Sequence, residues 1–218
     1  MSNAYIVEFA VFRGADGATI KNRATAAAKV AGLVAQYGGQ KIEDAKESVH
    51  VTVWRTADSR KAFAISQQTD AAPLLVEVLG IEEADRGRLT SVLEAPTTEV
   101  YTGYDALPSI FAAAVRKFAG LIDAQPDATS TGYRGNAVLE TVEDVALAPE
   151  AVQAAPELVS WVGPAVKLVV GWTSREAHLE AKEKAGPIKD NIELLRAGHK
   201  ATNLYHVKLQ KLDSSASE

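Results

Sequence analysis

The chain has 218 residues, 28 acidic against 23 Lys and Arg, a formal net charge of -5 and 47% hydrophobic residues, enough apolar material for a substantial core. It contains no cysteine, so disulfides, thiolate metal sites and cysteine nucleophiles are excluded together, and a reducing, cytoplasmic location is the expectation. The acidic balance speaks against nucleic acid as a partner, because phosphate binding needs clustered Lys and Arg. No apolar run reaches about 18 residues and the first residues lack a basic-then-apolar leader, so no membrane span is expected.

In chain order, residues 4–13 alternate and are rich in Tyr, Ile, Val and Phe, which predicts a strand, and Asp16-Gly17 supplies the turn after it. Apolar Ile20, Ala24, Ala27, Val30, Val34 and Tyr37 recur at three and four residues, predicting a single helix over 18–37 stopped by Gly38-Gly39. A short polar strand is expected at 40–45. Residues 48–54, Ser-Val-His-Val-Thr-Val-Trp, suit a pleated surface. A helix at 58–67 follows, then an apolar segment at 73–79 stopped by Gly80, read as an extra helical piece, and a closing strand at 89–95. The order is β-α-β-β-α-β, the ferredoxin-like unit.

The order then restarts. A strand is predicted at 99–104 and a helix after Pro108, with Phe111, Ala114, Val115, Phe118 and Ile122 on one stripe. A strand at 129–139 leads to an Ala- and Pro-rich insertion, 140–164, inside a stretch (135–166) with no Lys or Arg, expected to form an acidic surface feature with a short helix. The apolar strand 165–172 comes next. Thr173 and Glu176 form a capping-box pattern for a helix to Lys184, Gly186-Pro187 ends it, and a further helix carries Ile188, Ile192 and Leu195 up to Gly198. The last strand is expected at 201–209 and a disordered tail at 213–218.

Val51-Thr52-Val53-Trp54 aligns with Val169-Val170-Gly171-Trp172, Thr56 with Ser174 and Asp58 with Glu176. The fold class expected is therefore α+β: two tandem ferredoxin-like repeats, 1–97 and 98–212, whose antiparallel sheets close on each other within one chain. On the segment 172–178, Trp-Thr-Ser-Arg-Glu-Ala-His, and the closing strand with Tyr205-His206-Val207, the sequence resembles the dimeric α/β barrel superfamily, in particular its antibiotic-biosynthesis-monooxygenase and stress-responsive branches and the duplicated fungal members. That resemblance implies a ligand pocket between a sheet and its helices, and a function among cofactor-free oxygenases, cyclases, isomerases, lyases, haem-degrading enzymes or non-catalytic proteins. The Tyr and His of the superfamily's plant polyketide cyclase fall on Phe63 and Thr69 in the first repeat and on Ala181 and Pro187 in the second, so that dyad is absent.

The candidate site residues are polar or aromatic groups on otherwise apolar elements. His50 shares a strand face with Ser48, Thr52 and Trp54, opposite Val49, Val51 and Val53, where an imidazole can act as acid or base near neutral pH. His178, on the edge of the stripe made by Ala177, Ala181 and Ala185, and His206, on the last strand, are the candidates in the second repeat. His199, just past Gly198, reads as an exposed helix-end residue. Tyr5, Trp54, Tyr101, Trp161 and Trp172 are the candidate substrate-binding aromatics, with Trp161 a lid residue at the end of the insertion. His178, Glu180 and His206 have the composition of a two-His-one-carboxylate metal site, but residues two apart on a helix point about 200° from each other, so no metal is expected. Glycine-rich phosphate loops are missing as well, and no cofactor is expected. The expected function is a cofactor-independent enzyme acting on a small hydrophobic or phenolic metabolite by His-assisted proton transfer; the alternative is a non-catalytic ligand-binding or stress-response protein. A homodimer is the only protein partner expected.

Overall fold

The computed structural model describes residues 4–14, 17–66, 72–104, 108–125 and 131–213. Its first half runs β1 (Ala4–Arg13), α1 (Gly17–Ala28), β2 (Leu33–Lys41), β3 (Glu47–Trp54), α2 (Ala57–Ser66), β4 (Leu75–Glu82) and α3 (Arg86–Leu93). The second runs β5 (Thr97–Tyr104), α4 (Pro108–Asp123), β6 (Tyr133–Thr141), β7 (Val145–Ala146), α5 (Pro149–Ala154), β8 (Val162–Gly163), β9 (Ala165–Trp172), α6 (Arg175–Glu183), α7 (Pro187–Asn191), α8 (Glu193–Arg196) and β10 (Ala201–Lys211). Eight strands close an antiparallel barrel in the order β1-β3-β2-β10-β5-β9-β6-β4, with β4 returning to β1. Within each half the strands lie in the same order, fourth, first, third, second. Among the described residues no helix is long and apolar enough to cross a membrane.

Alternation along the strands decides the two faces. Val7, Phe9 and Val11 of β1, Val49, Val51 and Val53 of β3 and Ala165 and Val169 of β9 point into the barrel and form its apolar centre. The barrel centre also holds a buried ion pair, Lys167 to Glu77 at 2.8 Å, with the Tyr104 hydroxyl donating to Glu77 at 3.1 Å. Among the described residues the outer faces carry three further clusters, two against the first-half helices α1 and α2 and the third against α4, α6, α7 and α8. The space between strands and helices in which a ligand would sit belongs to those outer layers.

Four local expectations are corrected. The helix expected over 18–37 ends at Ala28, because Gly32 takes φ 93° and its missing Cβ lets Ser59 approach; beyond it Ala35 and Tyr37 face the barrel while Gln36 bonds to Ala24 in α1, a period of two. The segment at 73–79, read as helical, lies in β4 with Leu75, Leu79 and Ile81 turned inward, and the closing strand expected at 89–95 lies in α3, where Leu89, Val92 and Leu93 bury one helical face. Ser174 rather than Thr173 caps α6, its hydroxyl accepting from the Ala177 amide at 3.1 Å. Residues 129–130 and 214–218 lie outside the described residues.

The insertion has its short helix, α5, and exposed Glu143, but its apolar residues do more than cover a surface. Val145, Leu147, Ala148, Ala151 and Ala155 join the cluster inside the barrel, and Trp161 meets the Tyr104 ring edge-on at 6.1 Å. Ion pairs from Arg60 to Glu143 and from Lys41 to Glu150 fasten it down. The segment closes one end of the barrel because the β4–β6 seam beside it is short, pairing only Leu79 with Thr141 and Gly80 with Glu140.

Candidate functional site

The outer face of the second sheet carries Glu99 and Tyr101 of β5, Leu168, Val170 and Trp172 of β9, and Thr202 and Leu204 of β10. With Phe118, Ile122, Ile188, Ile192 and Leu195 from the helices above, these side chains enclose a cavity of about 250 Å³. An apolar cavity of about 150 Å³ holds benzene, so this one takes an aromatic body of about one to two rings. Tyr101 fixes the wall by donating to the Leu195 carbonyl at 2.6 Å.

One side of the cavity is polar. His178, on the second turn of α6, is buried and stacks on Trp172 with ring centroids 5.1 Å apart. Its Nδ1 lies 2.7 Å from His206 Nε2, and His206 Nδ1 lies 2.6 Å from Glu43 Oε1. Its Nε2 faces Glu99 Oε2 at 3.5 Å, and Trp172 Nε1 donates to that same oxygen at 2.8 Å. Glu43 accepts from His206 Nδ1, which leaves His206 Nε2 to accept from His178 Nδ1 and turns the His178 Nε2 lone pair toward Glu99. The result is one directed chain, Glu99 to His178 to His206 to Glu43, from the cavity to a carboxylate one-third exposed to solvent.

The electrostatics follow from burial. Among the described residues Glu99 has no cation paired with it, and it is pushed up to about 7 by desolvation, against the opposing pull of the Trp172 bond and of Lys182. Desolvation first, then the neighbouring His206 and Lys182, lowers His178 to about 3, so it is a neutral imidazole at physiological pH. Burial also lowers His206 despite its bond to Glu43, and Glu43 is held below its ordinary value by the His206 bonds, which outweigh its own desolvation.

The structure thus brings His178, His206, Tyr101 and Trp172 together. It places the other expected residues elsewhere. His50 is buried under the first sheet, lowered to about 3 by desolvation and by Arg23, and neither ring nitrogen has a hydrogen-bond partner among the described residues. Trp54 donates to Thr52 at 2.8 Å and lies against Phe63, Tyr5 sits in the barrel near Arg86, and Trp161 caps the barrel end. Glu180 is exposed and paired with Lys184, as the helix geometry requires. Two carboxylates of the site are not marked by the sequence pattern. Glu99 reads as the start of a strand, its one signal being a lone Glu two residues before a cavity-lining Tyr; Glu43 stands in the β2–β3 turn and reaches His206 only because β10 pairs with β2 across the halves. His199, expected at the surface, is half-buried and lines the cavity, donating to the Leu195 carbonyl at 2.7 Å.

With the site drawn, the chain can be set beside known proteins. No protein-family model matches it, and no curated protein matches its sequence. Solved structures do: an anthrone oxidase-like protein (15% identity, TM-score 0.62, covering 100% of this chain and 99% of that one), a candidate monooxygenase from Fusobacterium nucleatum subsp. nucleatum (11%, 0.51, 98% and 96%) and a candidate chlorite dismutase (10%, 0.51, 98% and 96%). The likeness shows the fold, an α/β barrel common to all of them.

The donor set does not suit a haem, since both His178 nitrogens already face partners and the cavity is smaller than the roughly 300–1,000 Å³ of ordinary ligand pockets. Ligand atoms of Glu99, His178 and His206 do lie within 4.8 Å of one another, close enough for one small metal ion.

Proposed function

We propose that this protein is an enzyme that removes a proton from a small hydrophobic or phenolic molecule held in the second-sheet cavity, without an organic cofactor, within a barrel built of two tandem ferredoxin-like repeats. The observation that carries the reading is the directed chain from Glu99 through His178 and His206 to Glu43, whose inner end opens on an apolar cavity. A general base works best with a pKa near the working pH, and Glu99 at about 7 meets that condition. A proton taken by Glu99 passes to His178 Nε2 while His178 Nδ1 hands its own to His206 and His206 hands its own to Glu43. Moving the protons in concert avoids a buried imidazolium, and Glu43 releases the proton to water.

Oxidation by dioxygen is the reaction class we favour, and the names of the anthrone oxidase-like and monooxygenase neighbours support it. An ionised phenolic methylene supplies the electrons itself: its carbanion reduces O2, a peroxide forms at that carbon, and loss of water leaves a ketone, so CH2 plus O2 gives C=O plus H2O. The test is oxygen uptake by purified protein with a panel of hydroxylated anthrones and naphthols, repeated with H178Q and E99Q. Turnover that falls by about 10²- to 10⁴-fold in both variants supports the assignment, and turnover unchanged in either removes it. Saturable binding of the panel without any turnover supports the ligand-binding alternative.

The proximity of Glu99, His178 and His206 favours one second reading, a divalent metal site whose His206 is oriented by Glu43. Stoichiometric uptake of Mn²⁺, Fe²⁺ or Zn²⁺ that E99Q abolishes would establish it, and activity that survives dialysis against a chelator would dismiss it for catalysis.

A further inference from the structure

We propose that the ligand of the second-sheet cavity is an aromatic carboxylate, its ring held between the apolar walls and its charge held by Lys182 and Arg196. The inference rests on the cavity reading above and names the substrate class. Five ionisable side chains besides Tyr101 line the cavity: Glu99, His178, Lys182, Arg196 and His199. Glu99 is half-neutral near pH 7, His178 is neutral, and His199 is lowered by desolvation, so the fixed charges at physiological pH are dominated by the two cations. Both are exposed residues while the ring-facing residues Val170, Trp172 and Leu168 are buried, which puts the charge where the cavity meets solvent.

Lys182 is the stronger element. It stands one turn after His178 on α6, and its charge is felt by Glu99, His178 and His206, so it faces the site. Among the described residues no ion pair engages it. Arg196 makes a surface pair with Glu193 at 2.9 Å, of the exposed kind that contributes at most about 1 kcal/mol and is readily exchanged for a better partner. A guanidinium and an ammonium at the mouth of an apolar cavity recognise a planar anion that carries its own hydrophobic body.

The test is calorimetric titration of the purified protein with three probes that share one ring system: 2-naphthoate, 2-naphthol and 2-naphthylmethylammonium. Wild-type protein should bind naphthoate at least about tenfold more tightly than naphthol and the ammonium weakest; K182Q and R196Q, both at exposed positions, should each weaken naphthoate about three- to tenfold and leave naphthol within about twofold, a pattern expected of charge-assisted bonds. I192W, which narrows the cavity from the helices above it, should weaken all three. Naphthol bound as tightly as naphthoate, or naphthoate indifferent to both substitutions, overturns the proposal while leaving the cavity a ligand site. Failure of all three probes to bind overturns the cavity reading and the proposal with it.

Discussion

Counted from Trp54 and Trp172, which end the third strand of each half, Glu8 and Glu99 occupy the same position, and so do Arg60 and His178, and Phe63 and Ala181. The chemistry at these positions diverges completely. Under the first sheet, Glu8 is bonded to Arg23 and lies 2.7 Å from Arg60, while Phe63 fills the space beside Trp54, their rings 5.1 Å apart. Under the second, the carboxyl has no paired cation among the described residues, the Arg is replaced by a neutral imidazole, and the small Ala181 stands in place of the ring. One framework thus yields a closed, charge-paired packing layer in one half and an acid-base cavity in the other. The difference lies in the side chains at these positions and in α7 and α8, whose Ile188 and Leu195 wall the cavity in the second half.

The largest effect expected from this contrast is on stability. E8Q removes the charge that Arg23, itself 8% exposed, and Arg60 are paired with, and breaking such a buried pair costs about 3–5 kcal/mol, readable as a lower urea midpoint. E99Q should do the opposite, and only at high pH. A raised folded-state pKa means that Glu99 contributes stability below its unfolded value of 4.5, which is lost as pH rises through about 7; by pH 9 the deficit is on the order of 3 kcal/mol. Wild type and E99Q should therefore unfold alike near pH 4 and separate at pH 9 with E99Q the more stable. If both Glu variants lose stability equally at pH 7, the contrast between the halves is broken.

Next in size is the packing exchange. F63A removes a fully buried ring and should cost about 3–5 kcal/mol, whereas A181F should leave stability within about 1–2 kcal/mol because Ala181 borders a hollow lined by Tyr133, Trp172 and Ile188. Equal losses in the two variants would mean that the second layer is as tightly packed as the first. The smallest expected effect is from H50Q: with no partner for either nitrogen of His50 among the described residues and no contact with the cavity, turnover should stay within about twofold of wild type, against the loss expected for H178Q.

The sequence pattern makes part of this legible. The strand pairs around Trp54 and Trp172 and the helix α6 follow from alternation and capping chemistry, and His178 and His206 stand out as titratable groups on apolar faces. The carboxylates that give them a direction do not stand out, because Glu43 is 163 residues from His206 and Glu99 is distinguished from Glu8 only by the absence of Arg partners contributed by other elements. His50 and His178 are equally striking in a single sequence. What separates them is the cavity, walled by Ile188, Ile192 and Leu195 from helices far along the chain, and a one-strand pattern carries no record of it.

The central claim is that Glu99 is a carboxylic acid near neutrality, linked through two neutral imidazoles to the surface. Carbon-13 NMR of glutamate-labelled protein, titrated from pH 4 to 9 and compared with E99Q, reads it most directly. The account predicts one side-chain carboxyl resonance with a midpoint near 7 that is missing from E99Q. A wild-type spectrum in which every glutamate completes its titration below pH 5.5 would contradict it.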